Sequence, residues 1–197
     1  MKDKKLRTSG TPSRQARAFV PPLTVSHPDL VLSGSDRKFR EMIYLMVLAF
    51  GRLQFFREAF GRAMSLTGSQ FVVLMGTAHR QGSEGISIRA LADHTHLAAT
   101  HVTTEVGKLI AKGLLTKSAN LHDRRSVLVR LAPAGEEAIR EVTPLVRRVN
   151  DVLFQHVTAK DLATIVEFLG ALSLNSDYAE VEVRRFEHER ATHGRRT

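Results

Sequence analysis

Apolar residues returning every three or four positions mark most of this chain as helical. Between Lys38 and Ser65, Phe39, Met42, Ile43, Met46, Val47, Phe50, Leu53 and Phe60 recur at that spacing and define one broad apolar face. A helix this apolar needs a cover, and a second copy of the chain is the natural candidate. A second run, Phe71, Leu74, Met75 and Ala78, starts after Thr67 and stops at Gln81 and Gly82; Thr67 with Gln70 has the spacing of a capping box. Gly85 and Ile86 read as short and extended, and Ser87 is placed to cap a helix that starts at Ile88 and buries Leu91 and Ala92. Ala98 to Lys112 is the next helix, with Val102, Val106, Leu109 and Ile110 inward and Gly113 just past its end. Its other face, Ala99, Thr100, Thr103, Thr104, Gly107 and Lys108, is polar and short-chained.

The period then changes. Leu114 to Ser118 and Val127 to Leu131 read as two strands joined by a charged tip, Asn120 to Arg125. Pro133 suits the first turn of a long helix that carries Ala138, Ile139, Val142, Leu145, Val146, Val149, Val152 and Leu153 toward Val157, and Pro144 should bend it. Thr158 and Asp161 restart a helix carrying Leu162, Ile165, Val166, Leu169 and Leu172. Residues 1–35, with Pro12, Pro21, Pro22 and Pro28 and no periodicity, read as a flexible or extended arm. The fold class is mainly α with a small β-wing.

Charge then locates the chemistry. The 197 residues carry a net +9: +4 over residues 1–37, +3 over 184–197, and +4 within 86–131. A basic chain of this kind favours polyanionic partners. With no cysteine, disulfides, thiolate metal sites and cysteine nucleophiles are excluded. The basic start, Met1 to Arg17, has no apolar run behind it, and no stretch approaches a membrane span, so a cytoplasmic protein without a membrane partner is expected.

Helix, short strand, helix, turn, helix and a two-stranded wing is the order of a winged helix-turn-helix. Leu66, Thr67, Gln70, Phe71 and Leu74, then Leu91 and Ala92, then Val102, Thr103, Val106, Leu109, Gly113 and Leu114, and finally Asp123, Arg124, Arg125 and Ser126 leading through Val127 and Leu131 to Gly135, resemble the MarR family of bacterial transcription regulators. The resemblance implies dimerisation helices over 38–65 and 136–183 and a linking helix with the winged helix-turn-helix over 66–135; composition and charge add a flexible basic arm over 1–37 and a basic tail over 184–197. Three positions depart from the family pattern. Ala98 and Ala132 stand where serine and threonine commonly cap helices, and Leu121 stands where the wing commonly has proline.

Candidate DNA-binding residues are Ser87, Thr100, His101, Thr103, Thr104 and Lys108 on the helices and Asp123, Arg124 and Arg125 in the wing. The resemblance implies that Arg125 enters the minor groove, held by Asp123, while Arg124 meets phosphate. It also implies a homodimer on a palindromic operator of double-stranded DNA, most often a repressor released by a small aromatic acid such as a hydroxybenzoate or pyridine carboxylate. Candidates for that ligand's apolar slot are Phe50, Phe56, Phe71 and Met75, with Arg52, Arg57, His79 and Arg89 as carboxylate partners. The nine histidines have no paired zinc spacing, so neither a metal nor a cofactor is expected, and no nucleophile elbow or phosphate-cradling loop points to an enzyme. The competing readings are an architectural DNA-binding protein acting through its basic tails and, behind it, a metal-responsive regulator.

Overall fold

A computed structural model describes residues 19–193 apart from 121, 122, 124 and 125. The chain forms two compact units, residues 1–56 and 57–197.

In the first unit, part of the segment read as a flexible arm is folded. Pro28–Leu30 form a 3-10 turn, and Leu32 bridges Ser35. Asp36 is buried at 1% exposure ahead of α1 (Arg37–Ala63), and its carbonyl accepts the Arg40 amide. The Asp36 carboxylate accepts the amide and the hydroxyl of Thr24, both at 2.7 Å, and meets the Arg40 guanidinium at 3.3 Å. The two Thr24 bonds cross twelve residues, a separation that hydrophobic periodicity cannot register. Along α1, Tyr44, Leu45, Val47, Leu48, Phe50 and Leu53 are all exposed.

The second unit holds the main core. Its helices are α2 (Gly68–Arg80), α3 (Ile88–Thr95), α4 (Ala99–Ala111), α5 (Pro133–Leu153) and α6 (Ala159–His193); its strands are β1 (Ile86–Ser87), β2 (Leu115–Ala119) and β3 (Val127–Leu131). The capping box of α2 is present: Thr67 Oγ1 accepts from the Gln70 amide, and Gln70 Oε1 accepts from the Thr67 amide, both at 3.2 Å. Leu74 and Val73 of α2, Leu91 of α3, Val102 and Leu109 of α4, Leu115 of β2 and Val129 of β3 meet with almost no exposure. Gly113 follows α4 at φ 73°, the left-handed conformation that glycine adopts without strain.

The sheet has three antiparallel strands rather than two, in the order β1-β3-β2. Ile86 pairs with Val129 and Ser87 with Leu128, so the short extended stretch before α3 is tied to the wing. Leu115 to Ala119 pair in register with Leu131 to Val127. At Gly135, in the first turn of α5, a Cβ would overlap the Leu114 carbonyl, which itself accepts the Ala132 amide at 3.0 Å. Helix α5 is thereby held against the root of β2.

Two boundaries differ from the sequence reading. Helix α5 passes through Pro144 without a break and ends at Leu153, short of Val157. Helix α6, opened by the Thr158 and Asp161 capping box, does not stop at 183 but continues to His193. Within the extension Arg184 pairs with Glu180 at 2.6 Å and Arg185 with Glu189 at 3.2 Å, the four-residue spacing that supports a helix. Among the described residues, no helix is long and apolar enough to cross a membrane.

Candidate nucleic-acid interface

Helices α3 and α4 are joined through His96, which adopts φ 53°, and Leu97. Ser87 Oγ accepts the Ala90 amide at 3.2 Å and so fixes the start of α3. Val102, Glu105, Val106 and Leu109 form the buried side of α4. Thr100, His101, Thr103, Thr104 and Lys108 are all exposed, so the structure gathers the α4 candidates on one surface, while Ser87 is half-buried at the start of α3. Their short side chains leave the backbone open to close approach.

The threonine hydroxyls are already engaged. Thr103 Oγ1 donates to the Ala99 carbonyl at 2.8 Å and Thr104 Oγ1 to the Thr100 carbonyl at 3.1 Å. Each therefore offers outward a methyl group and a hydroxyl oxygen with a lone pair. Lys108 Nζ lies 2.8 Å from Glu105 Oε1, an ion pair whose acid partner is only 4% exposed. Lys112 Nζ donates to the Ser65 carbonyl at 2.7 Å and ties the end of α4 to the turn before α2.

The wing is closed by short polar side chains. Asn120 Nδ2 donates to Ser126 Oγ at 2.8 Å, and Asn120 Oδ1 accepts the Asp123 amide at 3.3 Å. The Asp123 carbonyl accepts the Ser126 amide at 2.9 Å. At the wing's root, Arg130 donates to the Ser83 carbonyl at 2.6 Å, and Gln81 Oε1 accepts the Leu131 amide at 2.7 Å. Sequence reasoning passed over Asn120 and Ser126 as site residues, and it passed over Gln81 and Arg130 because their partners lie 50 and 47 positions away. Arg124 and Arg125, and with them the proposed Asp123–Arg125 pair, lie outside the described residues. Asp123, Asn120 and Ser126 line one hollow with Ser87, Arg89 and Thr103, which places the wing beside the exposed face of α4.

The candidate ligand residues are spread over different surroundings. In the first unit, Phe50 and Arg52 are exposed and Phe56 meets Phe55 edge-on at 5.4 Å. In the second, Phe71 is buried against Phe60 at 5.7 Å and belongs to the core. Arg57 lies 3.8 Å from Glu58, whose other carboxylate oxygen accepts the Gly68 amide at 2.9 Å. Arg89 lines the hollow beside the wing. Met75 and His79 do come together, in a groove whose opposite wall is Ile139, Thr143, Val146 and Arg147 of α5. That wall escaped the sequence reading, which assigned α5 wholly to dimerisation.

Among the described residues, no group of three metal-ligating side chains is present. Burial pushes the His94 imidazole below its ordinary pKa, helped by Arg80 and by His79 and His96, so the neutral ring is favoured.

Residues 64–126 match the MarR family model. HTH-type transcriptional regulator YdcH of Bacillus subtilis is 27% identical over 112 residues, covering 55% of this chain and 76% of that protein. Among solved structures, Bordetella bronchiseptica BpsR, whose DNA binding is regulated by 6-hydroxynicotinic acid, is 26% identical with a TM-score of 0.52; the match covers 68% of this chain and 98% of BpsR. A MarR-family regulator from Silicibacter pomeroyi shares the fold at 22% identity and a TM-score of 0.59, covering 77% of this chain and 96% of that one. The lobe is a winged helix-turn-helix, and over residues 64–126 it matches the MarR family of DNA-binding transcription regulators. Its relatives are regulators of transcription, not enzymes.

Proposed function

We propose that this regulator is a homodimeric repressor that reads a palindromic operator and leaves it when a small aromatic carboxylate binds. The observation that carries the reading is the exposed face of α4, Thr100 to Lys108, standing beside the wing in one small basic lobe. Such a face enters a major groove while an arginine-tipped wing follows the adjacent minor groove, with Arg125 as the inserted residue, Asp123 as its partner and Arg124 on phosphate. Two lobes related by a dyad read inverted half-sites about one helical turn apart.

The effector class rests on two supports. BpsR, a relative of similar fold, responds to 6-hydroxynicotinic acid, a pyridine carboxylate. The groove between α2 and α5 offers the chemistry such an acid needs: Met75, Ile139 and Val146 for the ring, His79 and Arg147 for the carboxylate. Phe50, Arg52, Phe56, Arg57 and Phe71 stay as further candidates from the sequence. Release follows if the ligand binds more tightly to a lobe arrangement that cannot span both half-sites.

Selection of bound duplexes from random or genomic DNA, followed by footprinting, tests the reading. The expected result is protection of one palindrome and its loss on adding a hydroxybenzoate or pyridine carboxylate. Uniform, sequence-indifferent coverage would instead favour an architectural protein acting through its basic ends.

A further inference from the structure

Glutamate is almost never buried without a partner, yet Glu105 lies at 4% exposure on the inward side of the recognition helix, among Val102, Val106 and Leu109. Its Oε1 meets Lys108 Nζ at 2.8 Å, whereas the lysine side chain is 53% exposed on the outer surface. Behind the carboxylate stands Gln70, itself buried, whose amide oxygen is occupied by the Thr67 amide of the α2 capping box. The hydrogen bond from Lys108 holds the Glu105 carboxyl below its ordinary pKa against the opposing effect of burial, while its other oxygen, Oε2, is buried without a hydrogen-bond partner among the described residues. The carboxylate is therefore charged, desolvated, and served by one cation. Moving Lys108 to a phosphate would leave that charge in apolar surroundings with a neutral amide alone, the situation in which breaking a buried pair is costly.

We propose that Glu105 is a positioning residue that holds the Lys108 ammonium back from the DNA backbone, so that α4 meets DNA through its threonine face with one fewer phosphate contact per lobe than its charges would allow. The inference rests on the reading of α4 as the DNA-facing helix. Its consequence is for discrimination: phosphate contacts strengthen binding to any sequence, so withholding one lowers non-specific affinity while the base-facing residues are untouched.

Because each phosphate contact contributes about 0.9 to the slope of log affinity against log salt on duplex DNA, the test needs no known operator. Binding of the full chain to a random-sequence duplex is measured across a salt series. Glu105→Gln should steepen the slope by about 0.9 for each lobe engaged. Lys108→Met should then remove more slope in the Glu105→Gln background than in the wild type, a coupling that loss of packing does not generate. Glu105→Leu, matched to the apolar face it enters, repeats the test if the glutamine variant folds poorly by circular dichroism. An unchanged slope in folded Glu105→Gln and Glu105→Leu overturns the proposal, as does a Lys108→Met effect equal in both backgrounds, which would place the lysine on phosphate from the start. Arg125→Ala on the same duplex separates the two levels. If it flattens the slope while the Glu105 variants change nothing, only the positioning role fails; if neither acts, the DNA-facing reading of the lobe fails with it.

Discussion

A threonine has one hydroxyl proton, and in Thr103 and Thr104 that proton is committed to the helix that carries it. What these residues present to a groove is a methyl group and an acceptor oxygen, suited to a thymine methyl or to a base amino group. Thr104→Ala removes both and should weaken operator binding by about 1–3 kcal/mol. Thr104→Val keeps the methyl contact, so its affinity should fall between those of alanine variant and wild type; titration of labelled operator DNA measures this, and equal losses in the two variants would point to the oxygen instead. At the other end of the chain, Asp36 supplies a pH test. The Thr24 hydroxyl, then the Thr24 amide, and more weakly Arg40 hold its carboxyl below the ordinary value of 3.8 although burial opposes them. A depressed carboxylate stabilises the folded arrangement fully above its unfolded pKa, and that contribution is lost as pH falls through the lower, folded value. Hydrogen exchange at the Thr24 amide should accordingly show protection near neutrality that is lost in acid below pH 3.8, with Asp36→Ala lacking it at every pH.

Helices in this chain begin in two ways. Thr67 and Ser87 supply a side-chain oxygen to the first turn, whereas Ala98 and Ala132 take up extended backbone conformations at the same kind of position and supply none. At Ala98, which is exposed, serine should add the missing bond and stabilise the protein by about 1 kcal/mol, measured as a raised urea midpoint at unchanged slope. Such caps were legible because their partners stand three residues away. The helices α1 to α4, the order of the lobe and the thin polar face of α4 were legible for a similar reason, since period and punctuation are local. What escaped was long-range or broke the pattern. Glu105 falls on the inward side of α4, where periodicity expects an apolar residue, and only the lysine one turn on explains its charge. The third strand is two residues long, too short for alternation to appear, and the Thr24–Asp36 closure joins positions twelve apart. The α2–α5 groove needed the packing of two helices that were each read for a different task.

At the scale of the whole molecule, α6 needs a partner. It runs for 35 residues, about 50 Å at the α-helical rise, and every residue from Ala159 to Thr192 is exposed. Yet it carries Leu162, Ile165, Val166, Phe168, Leu169 and Leu172 in its first half, while salt-bridged pairs support its second. Water-exposed helices are stabilised chiefly by packing an apolar face, and contiguous apolar surface of this extent marks an interaction site. In the proposed homodimer a second copy of the chain would cover α6 and supply the second lobe that a palindrome requires. Sedimentation equilibrium should therefore report twice the 21.9 kDa of the single chain. Placing charges in the stripe with Ile165→Glu and Leu169→Glu should return the mass to that of the monomer, because neither carboxylate finds a partner among apolar neighbours. The monomer keeps its lobe, whose core lies in α2, α3, α4 and the sheet, and should still bind non-specific duplex weakly while losing the palindrome. A monomeric wild type, or a double variant that stays dimeric and keeps its operator affinity, would remove α6 from the interface.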